Sequence, residues 1–218
     1  MSAIISIEGN IGSGKSTLVE YLKNNYKNND IIYLQEPIEE WNKIKDENNK
    51  TILEKFYEDQ HKYSFSFQMM AYISRLHLLR ETIKENPNSI IITERSLFTD
   101  KYVFAKMLYD SGKMEKIEYS IYNNWFHSMI DLAPLNKVIY LKTEPEVSYG
   151  RIKKRNREGE NSIPFEYIKD CHDYHNQMID IMSIDKKIID CTGDIEKDNN
   201  LFKSWSEDIF DFIQKKID

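Results

Sequence analysis

The chain reads as a doubly wound α/β fold, a three-layer α/β/α sandwich about a five-stranded parallel sheet, and three features predict it. Five short runs rich in β-branched residues alternate with longer stretches of helical periodicity, the pattern of strand, crossover helix, strand. A glycine-rich loop follows the first run, at the carboxyl edge where such sheets bind their ligands. The chain has 218 residues, 40% hydrophobic and 30% charged. That composition and length suit one globular domain over residues 1–218 with a continuous core.

In chain order, the strands are expected at Ala3 to Glu8, Ile31 to Gln35, Ser89 to Glu94, Lys137 to Lys142 and Lys186 to Asp190. Each is nearly continuously apolar, as a strand covered on both faces should be. The first helix is expected over Ser16 to Tyr26. The longest runs from about Tyr63 to Glu85, with Phe67, Met70, Ile73, Leu76, Leu79 and Ile83 forming one stripe. Further helices are expected at Thr99 to Tyr109, Lys116 to Leu132, Glu144 to Arg155, Pro164 to Ile181 and Asn200 to Ile217. Parallel strands joined by such helices should cross over with a right hand. No repeat or linker interrupts them.

The net charge of −6 argues against nucleic acid or an anionic membrane as partner, so any phosphate site must concentrate basic residues locally. No apolar run approaches the roughly 20 residues needed to span a bilayer, and the first apolar segment is already required as a strand, which leaves no room for a cleavable leader. The two cysteines, Cys171 and Cys191, have no metal-ligand spacing and read as reduced, buried thiols of a cytoplasmic protein.

The loop is Gly9, Asn10, Ile11, Gly12, Ser13, Gly14, Lys15, Ser16, Thr17. It matches the phosphate-binding pattern G-x-x-x-x-G-K-[ST] in the required setting, after a strand and before a helix. Glycines let successive N–H groups turn inward, the lysine reaches the β and γ phosphates of ATP, and the serine hydroxyl faces Mg2+. The dipole of the following helix favours the anion.

The other strand ends carry candidate chemistry. After the second strand, Pro37 fixes Glu36 at the tip, where a carboxylate can take a hydroxyl proton as that oxygen attacks phosphorus. After the third come Glu94, placed to hold Mg2+ through water, and Arg95, placed to neutralise charge at the reacting centre. The basic run from Arg151 to Glu160 reads as a helical lid, about residues 151–163, closing over the triphosphate.

These elements together resemble the deoxyribonucleoside kinases, a family of P-loop kinases. The motifs are the loop itself, Glu36-Pro37-Ile38-Glu39-Glu40-Trp41, Phe65-Ser66-Phe67-Gln68, Glu94-Arg95-Ser96, and the lid from Arg151 to Pro164. The resemblance runs from Ile4 to about Ile181, and more loosely to the end of the sequence. It implies transfer of the γ-phosphate of ATP to a nucleoside 5′-hydroxyl, with Glu36 as base, Lys15 and Arg95 stabilising charge, and Ser16 and Glu94 serving Mg2+. It further implies that Gln68 reads the nucleobase while Trp41, Phe67 and Phe104 enclose it, and that Leu53 and Tyr57 lie on a sugar-contacting helix. Tyr57 and Glu160 would bond the 3′-hydroxyl, Arg151 and Arg155 would clamp ATP, and the loop from Cys191 to Asp194 would border the adenine. Relatives often have arginine at Lys101; they also often carry an acidic residue at Gly159, so the lid here should flex differently. The family also implies a homodimer, for which the stripe on the Tyr63 to Glu85 helix, with Ile117, Ile121, Trp125 and Ile130, supplies apolar surface beyond one covered face.

Base choice rests on Ala71, Arg75 and Asp100. Gln68, Ala71 and Arg75 share one helical face. In the family, arginine and aspartate at these positions mark enzymes for deoxycytidine and purine deoxynucleosides. An ionised Asp100 only accepts hydrogen bonds, so it suits an exocyclic amine and not the O4 of thymine. Two rivals share the loop: a thymidylate-type monophosphate kinase, which needs extra cations for the acceptor phosphate, and a nucleotide-dependent switch without an acceptor pocket.

Overall fold

The computed structural model describes residues 2–26, 28, 30–157, 160, 163–193 and 199–214. Strands β1 (Ala3–Gly9), β2 (Ile31–Leu34), β3 (Ile90–Glu94), β4 (Leu135–Lys142) and β5 (Asp185–Asp190) form one all-parallel sheet in the order β2-β3-β1-β4-β5. Alternation along β1 sorts its side chains. Ile5 and Ile7 pack with Leu18, Val19 and Leu22 of α1 (Lys15–Asn25) and with Ile209 and Ile213 of α10 (Asn199–Gln214). Ile4 faces the other layer, joining Tyr72, Leu76 and Leu79 of α4 (Gln60–Glu85) and Phe126 of α7 (Lys116–Met129). On that same side Val138 and Tyr140 of β4 meet Met178 and Ile179 of α9 (Phe165–Ile181). The expected three layers and the expected sheet are what the chain forms.

Several expectations need correction. The edge strands are not covered on both faces: in β5 only Ile189 is buried, and Ile188 is exposed. An edge strand meets fewer neighbours than a central one, so it tolerates lysines on its open side. The stripe on α4 is also displaced. Phe67, Leu76 and Leu79 are buried as expected, but Ile73 is 52% exposed, and Gln68, Ala71, Tyr72 and Arg75 are buried instead. Two helices escaped the periodicity altogether, α2 (Ile38–Trp41) and α3 (Ile52–Glu58), with 4 and 7 residues. Finally, the expected helix over Thr99 to Tyr109 is a composite. A turn of α5 (Leu97–Thr99) opens into a π-helical stretch, Asp100–Ala105, before α6 (Lys106–Asp110). Wider π turns often occur at functional sites, and this one carries Asp100 and Phe104.

The last helices bracket the sheet's carboxyl edge. Helix α8 (Pro145–Arg155) starts with proline in its first turn and ends at Asn156, whose left-handed backbone halts it. Among the described residues, no helix is long and apolar enough to cross a membrane.

Candidate active site

The loop after β1 owes its path to its glycines. At Gly12, with φ of +78°, an added Cβ would lie 2.5 Å from the Ser148 carbonyl oxygen, so no side chain fits. The Asn10 side chain fastens the loop, with Nδ2 donating to the Ile168 carbonyl of α9 at 2.8 Å and Oδ1 accepting from the Ile11 N–H. Lys15 is buried and donates from Nζ to the Asn10 carbonyl at 2.8 Å. Burial, and then the charge of Arg95, lower its ammonium pKa to about 7, against the pull of Glu94, Glu36 and Glu8. The first residue after it, Ser16, donates its hydroxyl to Glu94 Oε1 at 2.8 Å.

The ends of β2 and β3 converge on this loop. Arg75 is the hub. Its Nε donates to Asp100 Oδ2 at 2.9 Å, its Nη1 to the Glu94 carbonyl at 2.7 Å, and its Nη2 to Glu36 Oε1 at 2.7 Å. Arg95 Nε lies 3.5 Å from the same Glu36 oxygen. Glu36 Oε2 has no hydrogen bond among the described residues. Burial pushes the Glu36 carboxyl up, but Arg95 and Arg75, with Lys15, outweigh it and hold the group below its ordinary value. The carboxylate is therefore ionised at neutral pH. Asp100 is more deeply enclosed, and burial pushes it up despite Arg75.

Beside these charges lies an open cleft that the phosphate loop, Glu36 and Arg95 all line. Its apolar wall is Trp41, Leu53, Phe56, Phe67, Ala71 and Phe104. Phe56 stacks on Phe67 at 4.6 Å, and Trp41 meets Phe67 edge-on at 5.7 Å. Trp41 is held from behind, its Nε1–H donating to Ser74 Oγ. Buried Gln68 faces this cleft, and its Oε1 has no partner among the described residues. Tyr57 lines the cleft opposite Glu160; burial, then the Glu160 charge, raise its phenol well above the ordinary range.

From the lid side, Glu160 is gripped by Arg155 Nη2 and by Arg157 Nη1. Both arginines line the cleft. Arg151 behaves differently. Its Nη2 donates to the carbonyls of Cys191 and Gly193, so it ties α8 to the segment after β5. Of the residues singled out above, Lys15, Ser16, Thr17, Glu36, Trp41, Leu53, Tyr57, Phe67, Gln68, Ala71, Glu94, Arg95, Asp100, Phe104, Arg155 and Glu160 all line the cleft. Asp194 and Gly159 lie outside the described residues. Lys101 is turned away, donating from Nζ to His127 Nε2 at 2.9 Å over the Phe126 ring. Two residues at the site carry no sequence signal of it: Arg157, hidden in a run of charge, and His175, whose contact with Arg95 spans 80 residues.

A buried lysine in a glycine loop at the centre of a parallel sheet, with carboxylates at the neighbouring strand tips, defines an α/β enzyme of the P-loop class. The chain belongs to the deoxynucleoside kinase family, whose model matches residues 5–218. It is 34% identical to a probable deoxycytidine kinase of fowlpox virus, over 97% of this chain and 88% of that protein. It is 37% identical to deoxycytidine kinase 1 of Xenopus laevis, over 78% of this chain and 71% of that one. To human mitochondrial thymidine kinase 2 it is 33% identical, over 81% of this chain and 64% of that protein. The family's enzymes are ATP-dependent kinases, and this chain is an ATP-dependent deoxynucleoside kinase.

Proposed function

We propose that the protein moves the γ-phosphate of ATP to the 5′-hydroxyl of a deoxyribonucleoside carrying an amino-substituted base, with Glu36 as the general base. One observation carries the reading: an ionised carboxylate, fixed by two guanidinium groups on one oxygen, stands between the phosphate loop and an aromatic cleft. The 5′-hydroxyl would donate to Glu36 Oε2. A weak base suffices there, because phosphoryl transfer is driven by positioning and charge stabilisation more than by early proton removal. Lys15 and Arg95 would take up charge on the transferring group, with the lid residues Arg155 and Arg157 closing from above.

Mg2+ fits the oxygen donors at the loop. Ser16 Oγ and Glu94 Oε1 already meet at 2.8 Å, and this ion takes one or two carboxylates together with phosphate oxygens. When bound it would neutralise phosphate charge.

Base preference follows from Gln68, Asp100 and Arg75. The free Gln68 Oε1 calls for a donor on the base, and Asp100, held by Arg75, accepts only. A thymine O4 set against Asp100 would leave acceptors facing each other, which costs roughly 1–3 kcal/mol or about tenfold to a hundredfold in discrimination. Ile73, Ile117, Ile121 and Trp125, all exposed on α4 and α7, support a homodimer.

One panel tests the reading: ATP with each of the four deoxynucleosides, for the unsubstituted protein and for Glu36→Gln. The expected result is poor use of thymidine, and a fall of about a hundredfold or more in turnover for Glu36→Gln with nucleoside affinity little changed. Near-normal turnover in Glu36→Gln would remove Glu36 from the base role. Thymidine used as well as the others would overturn the account of the pocket.

A further inference from the structure

We propose that His175 is the positioning residue for Arg95, fixing one end of the guanidinium so that its other N–H groups meet Glu36 and the transferring phosphoryl group; this rests on the role for Arg95 given above.

The Arg95 backbone itself is unusual. It lies in the left-handed region at φ of +64°, and its N–H donates to the Ile7 carbonyl. Such a conformation in a residue with a side chain is strained and persists only where surrounding contacts over-determine it. Those contacts can be counted. A guanidinium has five N–H groups, two of them on Nη1. Here Nη1 meets the Gly9 carbonyl at 3.0 Å and His175 Nε2 at 3.3 Å. Both Nη1 hydrogens are thereby assigned, one to the phosphate loop and one to α9. Nε lies 3.5 Å from Glu36 Oε1, and Nη2 remains for the substrate.

The imidazole is in turn committed to one form. An arginine can only donate, so Nε2 must be unprotonated. Nδ1 lies 2.6 Å from the Cys171 carbonyl, which can only accept, so Nδ1 must carry the proton. A single neutral tautomer satisfies both partners. His175 is completely buried, stacked on Tyr140 and edge-on to Phe104, while the Phe104 face carries the Arg95 guanidinium at 4.8 Å. Burial, and then the Arg95 charge, hold its pKa well below the ordinary value, which keeps it an acceptor. Because α9 also supplies the carbonyl that fastens Asn10, one helix sets both the loop and the arginine.

The test compares two amides. In His175→Asn the amide nitrogen can still donate to Cys171, but nothing reaches Arg95. In His175→Gln the longer side chain places an oxygen near the former Nε2. Both lose the aromatic stack, so a merely structural role would lower thermal stability and turnover alike in the two. Positioning predicts a kcat for His175→Asn lower by about 10- to 100-fold with nucleoside KM little changed, and recovery of most of it in His175→Gln. It also predicts that His175→Asn adds nothing in an Arg95→Ala background. Equal turnover in the two amides, or a further loss on top of Arg95→Ala, overturns the inference. If Arg95→Ala itself leaves turnover intact, the role of Arg95 is what fails, and the inference falls with it. Should neither amide fold, the 15N imidazole spectrum of the unsubstituted protein decides. A neutral Nδ1–H tautomer at neutral pH supports the inference, and an Nε2–H tautomer or an imidazolium overturns it.

Discussion

Lys15 illustrates how a single residue is prepared for an anion it has not yet met. Burial and the neighbouring Arg95 lower its pKa to about 7, so in the empty site it is only partly charged at neutral pH. A bound polyphosphate favours the ammonium and must raise that pKa again. The sign follows: ATP binding takes up a proton, and the coupling weakens affinity as pH rises above about 7 toward the pKa in the complex. Calorimetry at about pH 8 in buffers of different ionisation enthalpy should report an uptake of up to one proton, absent in Lys15→Met. An uptake unchanged by the substitution would place the titrating group elsewhere. Lys15, Glu36 and Gln68 were legible in the sequence because their chemistry is local to a motif. Arg157 and His175 were not. One sits within a charge run that gives no hint of which arginine turns inward, and the other acts through a tertiary contact.

At the scale of elements, the cleft depends on pieces too short for a periodicity to reveal. Helix α3 is 7 residues long, yet it delivers Leu53 and Tyr57 to the cleft. Its start is set by a capping box: Thr51 Oγ1 accepts from the Glu54 N–H at 3.2 Å, and Glu54 Oε2 accepts from the Thr51 N–H at 2.7 Å. The resemblance had placed Leu53 and Tyr57 on a helix, and the Thr-x-x-Glu pattern visible in the sequence marks where it starts. The π-helical stretch at Asp100–Ala105, which packs against α4 and α9, left no such mark. Because an isolated helix this short is unstable, its cap matters more than usual. Thr51→Ala should cost about 1 kcal/mol in unfolding free energy, raise the nucleoside KM and leave kcat nearly unchanged. Chemical denaturation and steady-state kinetics on the same preparation check this. A fall in kcat without a change in KM would mean that α3 serves the chemistry and not the sugar.

For the molecule as a whole, the sheet and its layers were legible because buried parallel strands and amphipathic crossovers leave long, redundant patterns. The burial pattern of α4 was not, for a reason that bears on assembly. The apolar stripe was expected to exceed what one covered face needs, and Ile73 on it stays 52% exposed, while the polar Gln68 and Arg75 are buried to build the site. On α7, which packs against α4 through Tyr72, Tyr122 and Phe126, Ile117 is 66% and Trp125 45% exposed, with Ile121 between them at the same four-residue spacing. A large patch of this kind marks a protein contact more often than a solvent face. Burying the half of each isoleucine still exposed would contribute about 1 kcal/mol. A two-fold contact places the same patch on both copies, so each substitution acts twice. The unsubstituted protein should therefore scatter light as two 26.0 kDa chains. Ile117→Glu combined with Trp125→Glu should scatter as one, with the circular dichroism of the folded chain retained. A monomer before any substitution, at concentrations well above micromolar, would exclude this face as a dimer contact.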